Sequence, residues 1–297
     1  MEKAKVHIAA LFSMMFWGGS YVWSKIVFEY YTPLTTIFFR LVISFITLFL
    51  LMLVFRQFEK IKKGDIWLFL VSAVFNPFLY FICESYGLMR VSASISAFII
   101  ATIPVFTPFI AYWVFREKLT VINIIGLVIS FFGILMIVFN IDLSFAASPV
   151  GVALLFLGVF AAVIYSVFLK KLALKYKPMT IIGWQNLIGA VYFIPLILIF
   201  DFPEMFAVVP SQTALISLIL LGVFASSFAY SLFAFVIKKI GISKGNIYSN
   251  LIAVFAAIAS FIVLKEEFTM FKLIGMMVII VGVGFSQLDK KKSKKVA

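Results

Sequence analysis

The chain is almost entirely a series of long apolar stretches joined by short polar connections, and this pattern constrains its fold more than any other feature. A helix that crosses a membrane needs about 20 mostly apolar residues. Ten stretches of about that length follow one another. The expected spans are residues 8–28, 35–55, 66–86, 93–115, 121–140, 150–169, 180–200, 213–236, 245–264 and 271–288. The sequence therefore predicts an all-α integral membrane protein with ten transmembrane helices.

The composition and the placement of charge indicate that lipid surrounds this chain. Apolar residues make up 64% and charged residues 12%, whereas soluble domains average about 45–50% and about 25%. The net charge of +13 could suggest a nucleic-acid partner. With both termini placed in the cytoplasm, however, 20 basic residues fall on the cytoplasmic side and three on the other. This positive-inside bias predicts a multi-pass protein of the plasma or inner membrane with cytoplasmic termini, and no nucleic-acid partner.

An internal repeat divides the chain into two similar parts. An offset of 149 residues superposes Glu117 on Glu266 and Thr120 on Thr269, and further upstream an offset of 145 pairs Arg40 with Gln185. The expected repeats are residues 1–145 and 146–297, with five spans each. Because five is odd, the second copy must enter the membrane from the opposite side. Inverted repeats are typical of alternating-access transporters, which bind substrate near the midplane between the halves.

Three ionisable side chains, Lys25, Arg40 and Glu84, are expected at membrane depth. Such residues are functional candidates because an isolated charge in hydrocarbon costs at least a few kcal/mol. Counting about 1.5 Å per residue places all three in the outer third of the membrane, which predicts a shared polar site. In the functional interpretation Glu84 carries protons, while Lys25 or Arg40 holds an anionic group of the substrate. In the alternative, the three charges form a salt bridge that only ties helices together.

Polar side chains recur on one face of the third expected helix. Asn76, Tyr80 and Glu84 are spaced four residues apart, which places them on one stripe. Polar or aromatic residues in other spans complete the predicted substrate and ion pathway, namely Trp17, Gln185, Tyr230 and Asn250. Taken together they favour a polar, aromatic-lined cavity. For any single residue, a hydrogen bond that merely holds two helices together is an equally good explanation.

Prolines and glycines suggest where helices bend or pack closely. Pro104 and Pro108 lie four residues apart in the fourth span and predict a kinked, gating helix, with a static bend as the alternative. The fifth and tenth spans carry the glycines Gly126, Gly133, Gly275, Gly282 and Gly284. Small residues allow two backbones to approach closely. We expect these faces to pack against neighbouring helices, with a homodimer contact as the alternative.

Several short motifs together resemble the EamA-type members of the drug/metabolite transporter superfamily. They occur in the family's order across both halves: Phe16-Trp17-Gly18-Gly19-Ser20, Lys25, Pro33, Arg40, Ala101–Pro108, Glu117, Leu119-Thr120, Gly126, Gly133, Lys170, Pro178, Glu266, Thr269, Gly275 and Gly282. The resemblance implies a ten-helix, inverted-repeat carrier of small metabolites, often an exporter of amino acids or related compounds. The second half departs from the pattern at Ala253, where the first half has Pro104. Equivalent hinges in the fourth and ninth helices are therefore in question.

The leading hypothesis is a secondary active transporter that exports small metabolites by alternating access, with proton coupling through Glu84. A channel or a membrane scaffold without active transport is the alternative. An enzyme is not expected, because the chain offers one histidine, His7, and a single carboxylate within the spans. No G-x-x-x-x-G-K-[ST] loop is present, so a nucleotide-driven pump is not expected either. We expect neither a cofactor nor a metal ion.

Overall fold

A computed structural model describes residues 2–115, 121–139 and 147–286, and within these ranges the chain is helical, without a β-sheet. Glu117, Thr120 and the basic tail after residue 286 lie outside the described residues. The α-helices are α1 Glu2–Phe28, α2 Pro33–Val54, α3 Ile66–Ala73, α4 Tyr80–Arg90, α5 Ala93–Ile100, α6 Ile103–Phe115, α7 Val121–Val138, α8 Pro149–Ala173, α9 Pro178–Leu196, α10 Phe202–Ala207, α11 Gln212–Leu220, α12 Ala229–Ile240, α13 Ile242–Gly245, α14 Asn250–Val263 and α15 Met270–Ser286.

Six helical segments of the described chain are long and apolar enough to cross a membrane. They are Pro33–Val54, Lys63–Arg90, Ala93–Val114, Pro149–Ala173, Pro178–Ala207 and Gln212–Ile240. Three shorter apolar helices are Ile124–Val138, Asn250–Val263 and Met270–Phe285. Helix α1 has 27 residues, but it is not among the six, and small and polar residues interrupt its apolar sequence between Gly18 and Lys25.

Four of the expected single helices are interrupted within the span, and the seventh changes geometry at its end, where the π-helical turn Ile197–Asp201 joins α9 to α10. Wider π-helical turns at Val74–Leu79 and Leu221–Phe228 join α3 to α4 and α11 to α12. A turn at residues 101–102 separates α5 from α6, and the 3-10 segment Asn246–Ser249 leads into α14. At the first of these breaks, Asn76 leaves helical geometry with φ −150° and ψ 119°, directly before Pro77, which has no backbone N–H to continue the helix.

Glycines bring α7 and α15 into close contact within the chain. A Cβ added at Gly133 would lie 2.8 Å from the carbonyl oxygen of Gly275, and one at Gly282 would lie 2.5 Å from the backbone nitrogen of Ser130. Such spacing leaves no room for a larger side chain. The small faces predicted from the sequence are therefore used between two helices of one chain.

Polar contacts tie the helix ends together on both sides of the bundle. At one end the buried carboxylate of Asp201 accepts hydrogen bonds from the hydroxyls of Thr32 and Thr35 near the start of α2. At the other end Lys175 forms an ion pair of 2.5 Å with Asp65, which precedes α3. This hydrogen bond from its ammonium group to a carboxylate raises the pKa of Lys175. The connection before α3 is thereby fixed to the connection between α8 and α9.

Candidate functional site

A small cavity lies where the interrupted helices meet. Its volume is about 70 Å³, well below the roughly 300–1,000 Å³ of a pocket for a drug-sized ligand. The structure thus shows a small, partly enclosed cavity with room for a few water molecules. The lining comes from α1, α2, the α3–α4 junction, the α5–α6 break, α8, α12 and the 3-10 segment before α14, and includes Trp17, Ser20, Tyr21, Arg40, Asn76, Tyr80, Phe81, Glu84, Tyr165, Ser166, Tyr230, Phe233, Asn246 and Ser249.

Arg40 from α2 is the cation of this cavity, and only 3% of it is exposed. Its Nε donates a hydrogen bond of 2.9 Å to Oγ of Ser226, and its Cζ lies 4.1 Å from the centre of the Phe81 ring. A cation above an aromatic face is attracted by the π electrons of the ring. Within the described part of the chain, the Nη1 and Nη2 groups have no hydrogen-bond partner. The guanidinium can therefore bind an anionic group inside the cavity.

Glu84 from α4 supplies the carboxylate, which is 8% exposed. Its Oε1 accepts a hydrogen bond of 2.7 Å from the hydroxyl of Tyr80, and Tyr21 from α1 interacts with it electrostatically. Across the described residues, the one direct ion pair joins Lys175 to Asp65, so Arg40 and Glu84 share the cavity without touching. The hydrogen bond to the carboxyl group therefore comes from a neutral donor, and no basic side chain of the described chain pairs with it directly.

Aromatic side chains form part of the cavity wall. The indole of Trp17 donates a hydrogen bond of 3.1 Å to the carbonyl oxygen of Ala225. Its ring packs edge-on against Tyr230, with 4.8 Å between the ring centres. The Tyr230 hydroxyl in turn accepts a hydrogen bond of 3.2 Å from the amide of Asn76. Residues far apart in sequence thus hold one another in a fixed, largely apolar enclosure.

The structure brings most of the sequence-predicted pathway residues together in this cavity. They are Trp17, Arg40, Asn76, Tyr80, Glu84 and Tyr230. Gln185 lies one layer behind, because its Oε1 accepts from Tyr165 at 2.9 Å and its Nε2 donates to Ser72 at 2.8 Å. Asn250 is not part of the lining, and its buried Oδ1 has no partner in the described chain.

Lys25, Pro104 and Pro108 lie outside the cavity lining. Lys25 instead lines a wide depression together with Arg90, and it interacts electrostatically with Glu266. The carboxylate of Glu266 also accepts hydrogen bonds from the hydroxyl and backbone nitrogen of Ser94, at 2.5 and 3.3 Å. Pro104 is the second residue of α6, and Pro108 lies inside that helix.

Sequence reasoning did not select Tyr165, Ser166, Phe81 or Ser249 for this site. Tyr165 and Ser166 are polar residues within the apolar sequence of α8, and that interruption of an apolar span is the signal that could have identified them. Phe81 carries no such signal, because the chain contains 37 phenylalanines. Its contribution depends on lying beneath Arg40, which only the three-dimensional packing shows.

The described residues contain no group of three or more His, Cys, Asp or Glu side chains that could hold a metal ion. The cavity instead combines a buried cation, a buried carboxyl group and aromatic walls, all carried by apolar helices. This combination suits the reversible binding of a small polar solute. The apolar helices define a multi-pass membrane protein, and the cavity is its candidate solute site.

The chain belongs to the EamA-like transporter family, which matches residues 4–139 and again residues 149–287. It is 24% identical over 280 residues to an uncharacterized transporter of Archaeoglobus fulgidus, covering 94% of this chain and 97% of the relative. It is also 28% identical over 292 residues to the uncharacterized transporter YoaV of Bacillus subtilis, covering 94% and 95% of the two chains. Membership confirms the resemblance found in the sequence and implies a role in transport rather than in catalysis.

Comparison with solved structures supports the fold alone. One protein crystal structure, 13% identical in sequence, matches with a TM-score of 0.71. The match covers 95% of this chain and 98% of the other. The helical arrangement therefore occurs in proteins of very different sequence.

Proposed function

We propose that this protein is a secondary active carrier that exports small carboxylate-bearing metabolites, such as amino acids or related compounds, by alternating access. The observation that carries the proposal is the small cavity containing Arg40 and Glu84, where interrupted helices meet. Broken helices are typical of transporter binding sites, since the freed backbone groups and helix ends can contact the solute.

We further propose ten spans, arranged as two inverted five-helix repeats over residues 1–145 and 146–297. The separate family matches to the two halves support this arrangement. The positions of the breaks support it as well, because Val74–Leu79 and Leu221–Phe228 each interrupt the third expected helix of a half. The six long spans, the three shorter apolar helices and α1 would supply the ten crossings.

Proton coupling through Glu84 is the third part of the proposal. A buried carboxyl group without a direct ion pair can lose its proton when a cationic solute group arrives and regain it afterwards. The hydroxyl of Tyr80 can donate to the charged form. Arg40 shares the cavity and would hold the carboxylate of the solute in the same step.

The charge distribution supports an orientation with both termini in the cytoplasm of a plasma or inner membrane. Twenty of the 25 basic residues then lie on the cytoplasmic side. Tags at the two ends, probed for accessibility in intact cells, test this arrangement. Opposite locations of the two tags would contradict an even number of crossings.

Counterflow in proteoliposomes tests the transport function. Vesicles loaded with one unlabelled amino acid at a time are given the same labelled compound outside, and a carrier accumulates the label transiently. A panel of amino acids and their amides identifies the preferred substrate class. Uptake without exchange would indicate a channel, and no uptake for any compound would favour a scaffold and contradict the proposal.

A further inference from the structure

We infer that Ser226 is a positioning residue that aims the guanidinium of Arg40 at the carboxylate of the transported solute. The inference rests on the proposed function and adds a residue that lies outside the cavity lining. Ser226 is 1% exposed and belongs to the π-helical segment Leu221–Phe228. It comes from the opposite half of the chain to Arg40.

The geometry of Arg40 leaves one edge of its guanidinium free. The group is planar, and its five N–H donors have fixed directions. Phe81 lies 4.1 Å from Cζ and covers one face, while Nε donates to Ser226 at 2.9 Å. These two contacts fix both the plane and the rotation of the group. The edge formed by Nη1 and Nη2 carries no hydrogen bond within the described residues. Such an edge can bind a carboxylate through two parallel hydrogen bonds.

Ser226 is itself held in place by polar contacts. Its carbonyl oxygen accepts a hydrogen bond of 3.3 Å from Nδ2 of Asn186 in α9, and the same nitrogen donates to Oγ of Ser44 at 2.6 Å. The neighbouring Ser227 pairs with Ser44 at 2.8 Å. Ser44 lies one helical turn after Arg40 on α2. The segment that aims the arginine is therefore fixed to the helix that carries it.

The wider turn of the π-helical segment makes this contact possible. Single wide turns inside α-helices occur frequently at functional sites. Gly222 at the start of the segment lies against α2, since a Cβ added there would be 3.3 Å from the carbonyl oxygen of Arg40. This close approach brings the backbone of Leu221–Phe228 next to the residue that it positions. An aligned arginine loses less freedom when it binds its ligand, which strengthens binding.

The test compares Ser226→Ala with Ser226→Thr in proteoliposomes, using the amino acid that gives the highest counterflow and its amide. Loss of a hydrogen bond to a charged group predicts about a 10-fold rise in KM for the carboxylate with Ser226→Ala. The KM for the amide should not change, because the amide lacks the charge that Arg40 binds. Ser226→Thr keeps the hydroxyl and should restore the carboxylate KM.

Ser13→Ala is the matched control, because it removes a buried hydroxyl that donates to the carbonyl oxygen of Ala229 at 2.6 Å. It should leave the ratio of the two KM values unchanged. Equal changes for acid and amide in Ser226→Ala would mean a purely structural role and would overturn the inference. If the unaltered protein moves no compound at all, the proposed function fails first, so the two failures are distinguishable.

Discussion

The two stretches that match the family, residues 4–139 and 149–287, line the same cavity with different chemistry. The first supplies both charged groups, Arg40 and Glu84, whereas the second supplies neutral residues such as Tyr165, Tyr230 and Asn246. At the position that corresponds to Arg40, the second stretch has Gln185, which lies behind Tyr165 and not in the cavity. Two stretches that match one family model therefore contribute different groups to one cavity. On the proposed function, the first stretch supplies the charged binding groups and the second positions them.

The largest expected effect tests whether proton coupling resides in the first stretch alone. Glu84→Gln keeps the size of the side chain but removes its titratable group. We expect transport driven by a pH gradient to fall to the level of protein-free liposomes, while counterflow without a gradient remains. The measurement is labelled-solute uptake with and without an imposed pH difference.

Glu204→Gln is the control for Glu84, because Glu204 is an exposed acid in the second stretch. It should transport like the unaltered protein. Size-exclusion chromatography shows whether both variants remain folded. Unchanged pH dependence in Glu84→Gln would contradict the assignment and leave this residue with a structural role.

The next effect compares Arg40 directly with its counterpart. Arg40→Gln gives the first stretch the residue that the second has at the corresponding position. Losing hydrogen bonds from a charged group costs about 1.5–3 kcal/mol, so KM for a carboxylate should rise about 10- to 100-fold. Gln185→Ala breaks the contacts to Tyr165 and Ser72 and should change the same KM much less. Equal effects of the two substitutions would mean that both stretches bind the solute.

A third prediction concerns the close contact between the stretches at α7 and α15. Gly133→Ala would place Cβ 2.8 Å from the backbone of Gly275 and Ile279. Overpacking of this kind typically costs about 1–3 kcal/mol, so thermal unfolding in detergent should begin at a lower temperature. The matched control is Gly284→Ala, where an added Cβ meets nothing within 4 Å. Equal melting temperatures for the two variants would contradict this prediction and show that α7 and α15 can move apart at little cost to accept the added methyl group.

The smallest effect is expected at the ion pair between Asp65 and Lys175, because the side chain of Lys175 is 53% exposed. Asp65→Asn should lower the melting temperature by less than Gly133→Ala does. The pKa of Lys175 is raised in the folded protein, so the pair stabilises at neutral pH. Its contribution is lost when the pH rises through that raised pKa. A difference between variant and unaltered protein that persists at strongly alkaline pH would contradict this origin.

The sequence predicted the family, the all-helical character of the chain and several residues that line the cavity, whereas ten crossings in two inverted repeats stay a prediction. Asn76, Tyr80 and Glu84 were predictable because a four-residue spacing places side chains on one face of a helix whatever surrounds it. Arg40 was predictable from the cost of burying a charge in an apolar span.

Other features depend on the packing of distant residues. The sequence predicts Lys25 at a depth in the membrane similar to that of Arg40 and Glu84. Depth along a helix, however, does not determine which neighbour a side chain faces. In the structure its electrostatic partner is Glu266, from the connection between α14 and α15. The break at Leu221–Phe228 could not be predicted either, because the segment contains no proline.

Most helices of the first stretch find their main packing partners in the second. Helix α1 packs on α12 and α14, α2 on α9, α4 on α8, and α7 on α15. During synthesis the first stretch is therefore complete before the surfaces that cover it exist. Until the later helices arrive, Arg40 and Glu84 must be shielded by lipid head groups, by water or by the insertion machinery. Maturation of the protein should consequently depend on how quickly its second portion enters the bilayer.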